Sequence, residues 1–396
     1  MCQDTWGYAA MANLSLMAYE TLVQSQGLYS REFVDDLTDN HEGYAHTISA
    51  VGGFDSASFR LGGTKDYIDD WFNDGLLRRV VMHSPEGIPV WEGFVSSLQM
   101  TAGSKTKTKS VDSLYNKVYT YYSPLDTSVS PPVELPPVVL IFDDISSQLE
   151  FGTKAVVLNG GGRTNETAFN WGRTVLRDSK EVKVGETVNT RSSDTYSIGV
   201  ECRGYFHTLK WLPYVSGVSS GTLPAHQVIQ EVLRYFNTIN GSWISQDFGL
   251  MDYNFSTARR GYRDYDKSCW DAIEQEAIQQ GGNGGERWVG GIYHNRQFVY
   301  KTAEAIDGLY VDEFQLYRSL TDPGQLIFDT ATGAEVKPWD MLPDRVLHTV
   351  DVNVGGDRDL MYIEQVKFTE PYGLELVGGN DQRLNIFLAR RGLPGL

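Results

Sequence analysis

Cysteine is scarce in this sequence: Cys2, Cys202 and Cys269 are the three in 396 residues. They are too few and too scattered for a disulfide framework, no Cys-x-x-Cys occurs, and an odd count points to reduced thiols. Long apolar runs are lacking too. None approaches the roughly 20 residues of a membrane helix, so no membrane span is expected. The opening MCQDTWGYAAMANLSLMAYE has neither a basic n-region nor a continuous apolar stretch, so no signal peptide is expected. The expectation is a soluble protein made and held in the cytoplasm.

Positive charge is the third deficit. The chain has 34 Lys and Arg against 51 Asp and Glu, a formal net charge of −17. Gripping nucleic acid needs clustered Lys and Arg, so specific nucleic-acid binding is not expected. The one basic run is KTKTK, residues 105 to 109, whose charges alternate with Thr at the two-residue period of a strand. That pattern predicts a solvated or edge face that blocks unwanted pairing, with a binding patch as the alternative.

What is abundant points to strands. Apolar residues make up 41% of the chain and aromatics 12%, with 22 Tyr, 9 Trp and 40 Gly, a composition of sheets and tight turns rather than helical bundles. The length suffices for two or three domains. Tyr44 to Phe59 reads as a hairpin about Gly52 and Gly53. TKDYIDDWFNDG follows as a one-sided helix, with Thr64 capping it, Ile68, Trp71 and Phe72 on one face, and Gly75 ending it. Two strands then flank the turn SPEG. Residues 123 to 137, SPLDTSVSPPVELPP, cannot be helix or central strand and read as a stiff surface crossover or linker. LIFDDIS and TKAVVL are apolar enough for strands, TNETAFNWGRTVL is a weak helix, and residues 194 to 213 return to the first sheet. A boundary is expected in residues 216 to 224. Beyond it lies the clearest helix, with Ala225, Val228, Ile229, Val232, Leu233, Phe236 and Ile239 at helical spacing and Thr222 and Pro224 as start signals. A second helix in SCWDAIEQEAIQQ carries Ser268 and Asp271 as a capping box. The glycines from Gly281 stop it, and a hairpin of Trp288, Ile292 and Tyr293 with Phe298 and Tyr300 turns through HNRQ. The domains expected are a β domain over 1–215, with its Pro/Ser-rich crossover near 123–137, and an α+β domain over 216–396 with two helices and a β-rich end.

No motif commits the chain to a chemistry. NGGGRTNET, residues 159 to 167, lies between a strand and a helix but lacks the Gly-Lys-Ser/Thr of a phosphate loop, and reads as a flexible turn. Asp69 with Asp70, and Asp143 with Asp144, are neighbours in sequence and so point apart, which leaves them unprepared for acid/base work. The histidines His41, His46, His83, His207, His226, His294 and His348 never fall at metal-ligand spacing. The aromatic and arginine hairpin around Trp288 is a candidate structural core of the C-terminal half, not an active site. No residue is assigned a catalytic, cofactor-binding or metal role, and no enzyme activity is expected.

HTISAVGGFDSASFRL, then a short helix and RRVVMHSPEGIPVWEGFVSSL, resembles the opening of structural proteins from the tails of double-stranded DNA bacteriophages. SSQLEFGTKAVVLNGGGRTNETA and GERWVGGIYHNRQFVYK are similar to later segments of the same group. The nearest architectural analogy is the baseplate or tail-tip hub, a ring of β-barrel domains at the end of the tail tube. With that resemblance, the expected fold is β-rich α+β, with two β-barrel or β-sandwich domains carrying short helices. The implied role is a virion part: a homotrimeric ring joining the tail tube to tail-tip or fibre proteins, with DNA passing through its lumen and no cofactor. A carbohydrate-binding receptor module and a cell-wall glycoside hydrolase are the alternatives.

Overall fold

The computed structural model describes residues 14–23, 32–215, 221–260, 265, 267–279, 281 and 288–302, and beyond them 308–311, 327–329, 335–336, 346–350, 358–370 and 373–378. The first strands are β1 (Ser15–Thr21), β2 (Phe33–Asp36), β3 (His41–Ser49) and β4 (Val51–Gly62). Helix α1 (Lys65–Asp74) follows, then β5 (Arg78–His83) and the long β6 (Pro89–Ser110). A small lobe comes next: β7 (Lys117–Asp126), β8 (Val133–Glu134), β9 (Val138–Asp143), α2 (Ile145–Phe151), β10 (Ala155–Arg163) and α3 (Asn165–Ser179). The chain returns through β11 (Val184–Arg203) to α4 (Phe206–Leu209), β12 (Thr222–Pro224), α5 (Ala225–Asn240), β13 (Thr257–Arg259) and α6 (Cys269–Ile273), which runs on as a π-helical turn, Glu274–Ile278. It closes with the hairpin β14 (Trp288–Ile292) and β15 (Phe298–Thr302), then β16 (Gly308–Val311), β17 (Ile327–Asp329), β18 (Glu335–Val336), β19 (Val346–Val350), β20 (Arg358–Thr369) and β21 (Gly373–Gly378).

The fold is β-rich, with short helices on largely antiparallel sheets. The main sheet has 15 strands in the order β18-β17-β16-β19-β20-β3-β4-β11-β6-β5-β1-β2, with β14 and β15 joined to β4 and β21 to β20. It is open at both ends and forms no closed barrel among the described residues. In the small lobe, β7 lies between β10, parallel to it, and β9, antiparallel. Helix α3 covers one face there, with Ala168 and Gly172 buried against it. Of the boundary expected in 216 to 224, residues 216–220 lie outside the described residues and Thr222–Pro224 form β12, and strands from both sides of it pair: β14 with β4, and β20 with β3.

Local chemistry explains the helices. The Thr64 side chain accepts from the Tyr67 backbone N–H, and Ile68, Trp71 and Phe72 turn inward. Burying each such side chain contributes about 1.5–3 kcal/mol. Helix α5 buries Ala225, Val228, Ile229, Val232, Leu233 and Phe236 along one stripe. Its expected start signal Thr222 instead sits in β12 opposite Arg259, so Pro224 alone opens the helix. The capping box of Ser268 and Asp271 is present, and Gly281, at φ +54°, follows the helix it opens.

Gly52 and Gly53 do not form the turn the sequence suggested. The β3–β4 reversal is at Ala50, and both glycines lie inside β4 at φ +119° and +83°. They are there because β14 runs parallel against them, pairing Gly291 with Gly52 and Ile292 with Gly53. A Cβ on Gly53 would stand 2.4 Å from the Ile292 carbonyl oxygen, and one on Gly291 2.1 Å from the Gly53 nitrogen. The same hairpin is held from beneath by a buried cluster. Glu92 accepts from Arg79 Nη2 at 2.9 Å, from the Tyr205 hydroxyl at 2.9 Å and, on its other oxygen, from the Asn295 backbone N–H at 3.0 Å. Burial opposes the Arg79 charge, but Tyr205 and Glu92 outweigh it and hold the guanidinium above its usual value. Asn295 and Arg296, in the turn after β14, both adopt positive φ, a strained conformation that this anchoring maintains.

Gly53→Ala should cost about 2–4 kcal/mol, because strain and a backbone collision add, whereas Gly43→Ala, at φ +64° with nothing within 4 Å, should cost about 1 kcal/mol. Equal urea midpoints for the two variants would refute the role of the β4–β14 contact. His46, stacked on Phe368 at 5.2 Å, is pushed down by burial to about 3. The unfolded chain binds that proton at its ordinary value near 6.5, so the contribution is intact above that pH and is lost as pH falls toward 3. From pH 7 to pH 5 wild type should lose about 2 kcal/mol more than His46→Leu, and parallel denaturation profiles would contradict this.

Candidate assembly surface

The singled-out charged residues are engaged individually rather than brought together. Asp69 pairs with Lys65 one turn back on α1, and Asp70 beside it is exposed. Asp143 pairs with Lys117 at 2.9 Å. Asp144 caps α2, accepting from Ser146 Oγ at 2.6 Å and from the Ser147 N–H at 3.0 Å, and pairs with Lys180 at 2.9 Å; these hold its carboxyl down at about 2. Thus each adjacent pair of acids diverges. His41 meets Glu370 and His207 meets Asp55, both at 2.8 Å, and His226 Nδ1 lies 2.8 Å from the Asn254 carbonyl. His83 ends β5, His294 opens the turn after β14, and His348 lies in β19. Among the described residues no three of His, Cys, Asp and Glu converge as a metal set. Cys202 and Cys269 are buried thiols, pushed up by that burial.

The glycine loop at 159 to 163 is the end of β10. Arg163 Nε donates back to the Gly160 carbonyl at 2.7 Å and its guanidinium lies 4.5 Å from the Trp171 ring, while Thr164 caps α3. The run Lys105–Lys109 lies on β6, in a two-stranded arm with Val184–Val188 of β11. Lys105 pairs with Glu186 at 2.8 Å on the outside of this arm, as expected of a solvated face. Lys109 departs from it: buried, it donates to the Asn73 carbonyl at the end of α1, at 2.6 Å, and sits over the Phe72 ring. Trp288 stacks on Tyr300 with centroids 4.6 Å apart, inside the core.

What the structure exposes is apolar. On the small lobe Ile141, Ile145, Leu149 and Phe169 reach solvent, Leu149 at 72% exposure. Ile145 and Leu149, four apart on α2, share one side of that helix. β9, Val-Val-Leu-Ile-Phe-Asp, pairs only with β7 and leaves its other edge without a partner among the described residues. Such an edge, with no Lys or Pro in it, offers unpaired backbone groups to another strand. Leu149 also borders a cleft of about 920 Å³ between α2 and the β1–β2 edge, where Val34, Phe151 and Val184 supply apolar walls. Neither Leu149 nor β9 was identified from the sequence as an exposed surface, since an apolar strand pattern is the same whether its edge is covered or bare.

No protein-family model matches this chain, and no curated protein does. Among solved structures it is similar to the 43 kDa tail protein of prophage MuSo2 from Shewanella oneidensis, at 9% identity and a TM-score of 0.40, over 92% of this chain and 95% of that one. It is also similar to the tail protein from Neisseria meningitidis MC58, at 7% identity and a TM-score of 0.43, over 93% and 97%. Both of these structures are of tail proteins, similar to this chain at low identity and over nearly the whole of each chain.

Proposed function

We propose that the chain is a non-enzymatic structural protein of a phage tail, forming a ring-shaped hub at the tail tip or baseplate. The observation that carries this is the bare β9 edge with the apolar side chains Ile141, Ile145, Leu149 and Phe169 around it. Exposed apolar surface beside an unpaired strand marks a site where another protein docks. The phrases shared with tail proteins support it from the sequence side. In this proposal, three copies close a ring, each supplying a unit over 1–215 and one over 216–396, so that about six β units face the tail tube while the opposite side meets fibre or spike proteins. The net charge of −17 would keep the lumen from binding DNA that must pass. Assembly in the host cytoplasm and incorporation into the virion complete the picture.

Light scattering with negative-stain images tests it. Trimers or rings should form as concentration rises, and Ile141→Asp with Leu149→Asp should return the chain to monomer with its melting transition intact. A monomer at every concentration, or an assembly indifferent to both changes, would sink the ring.

A second use is favoured by one feature. Tyr253 and Phe255 are 75% and 77% exposed, with ring planes 12° apart, beside a depression lined by Gln227, Gln230, Glu231 and Arg234. Exposed rings next to amide and acid groups suit a sugar face, as a receptor-binding module would require. On a glycan array the wild type should bind at least one glycan and Tyr253→Ala should lose it; a blank array removes this second use.

A further inference from the structure

Where the small lobe joins the main sheet there is a cavity of about 400 Å³, within the range of small-ligand pockets. It lies among the turn from β6 to β7, the start of β10, and the passage from β11 through α4. Three cations line it, Lys154, Arg203 and Lys210, against the single acid Asp112. In a chain where acids outnumber bases 51 to 34, that local reversal is unexpected.

Neither Arg203 nor Lys210 is held in an ion pair among the described residues, and Lys154 keeps one donor free of them. Arg203 makes no ion pair or side-chain hydrogen bond among the described residues, although Asp55, held by His207 at 2.8 Å, is near enough to feel its charge. Lys210 makes no ion pair there either and sits 4.9 Å from the Phe206 ring. Lys154 is 6% exposed; its ammonium donates to the Val111 carbonyl at 2.5 Å and the Asp112 carbonyl at 3.0 Å. An ammonium has three donors, so one is left without a protein acceptor among the described residues. Burial lowers the Lys154 ammonium to about 8, a cost that a bound anion would offset. The walls are aromatic: Tyr115 and Trp211 flank the Lys154 ammonium at 5.3 and 5.4 Å.

We propose that this cavity binds a small oxyanion, a carboxylate or phosphate, carried on a flat apolar or aromatic body. The planar guanidinium of Arg203 suits two parallel bonds to such a group, Lys210 and Lys154 add charge, and Trp211 with Tyr115 takes the body. The site is independent of the tail assignment and of the β9 surface.

The full chain is titrated at low salt with inorganic phosphate, benzoate and phenyl phosphate, followed by tryptophan fluorescence and by the melting temperature. Phenyl phosphate or benzoate should saturate and bind about tenfold tighter than inorganic phosphate, which carries no apolar body. Arg203→Gln with Lys210→Gln should weaken that binding by more than about tenfold, since each change removes a charged donor from the oxyanion. If the double variant lacks a cooperative melt, Lys210→Gln alone, at an exposed position, decides on the same criterion. The proposal is overturned if no probe saturates at millimolar concentration, if inorganic phosphate binds as tightly as the aromatic anions, or if the variants bind as wild type does.

Discussion

The fold turns on the contact between the β14–β15 hairpin and the first sheet. Gly53 and Gly291 bring β14 and β4 to a backbone separation that a Cβ at either position would not allow. Gly52 serves a second neighbour: a Cβ there would meet the Phe206 ring at 2.9 Å, and Phe206 in turn packs on Trp270 of α6 at 4.9 Å. One bare stretch of backbone therefore receives a strand on one side and the helical layer on the other. Residues far apart along the chain become neighbours, and β20 repeats the stitch on β3.

The buried Glu92 cluster completes that seam. A carboxylate and a guanidinium each 1% exposed are costly to desolvate, and such a pair persists only where its remaining valences are filled. Here the Tyr205 hydroxyl and the Asn295 N–H fill them. The Asn295 bond also fixes the strained turn that aims Arg296 inward, where its carbonyl accepts from the Ser245 N–H at 2.9 Å. Polar satisfaction and backbone strain are thus settled in one place, and the hairpin is held in a single position.

The small lobe, the β6–β11 arm and the segment between α5 and β13 carry the exposed apolar side chains Leu149, Val188 and Phe255. A rigid frame with sticky projections is suited to assembly, since docking then costs little ordering of the frame itself. The basic cavity sits at the base of the small lobe, between frame and projection, where the chain crosses from one sheet to the other.

Elements governed by neighbours in sequence were legible from it. Thr64, the Ile68–Trp71–Phe72 face, the α5 stripe, the capping box at Ser268 and the hairpin after Trp288 each follow from periodicity and capping chemistry within one element, and the divergence of Asp143 from Asp144 follows from their adjacency. The exposed arm at Lys105 was legible for the same reason. The roles of Gly52 and Gly53 were not, because a glycine needed for a turn and one needed for contact with a distant strand look alike in sequence. Lys109 belongs to a run expected to be solvated and is buried, and Arg79 and Arg296 are buried as well, since their partners Asn73, Glu92 and Tyr205 come from other elements. The bare edge of β9 and the meeting of Lys154, Arg203 and Lys210 were decided in the same way. Sequence determined most of the segments that become helix or strand, because those preferences are local, although the strand expected over LIFDDIS stops at Asp143 and Asp144 caps α2 instead; tertiary structure alone decided which backbones touch, which charges are buried and which apolar edge stays open, because each depends on partners far along the chain.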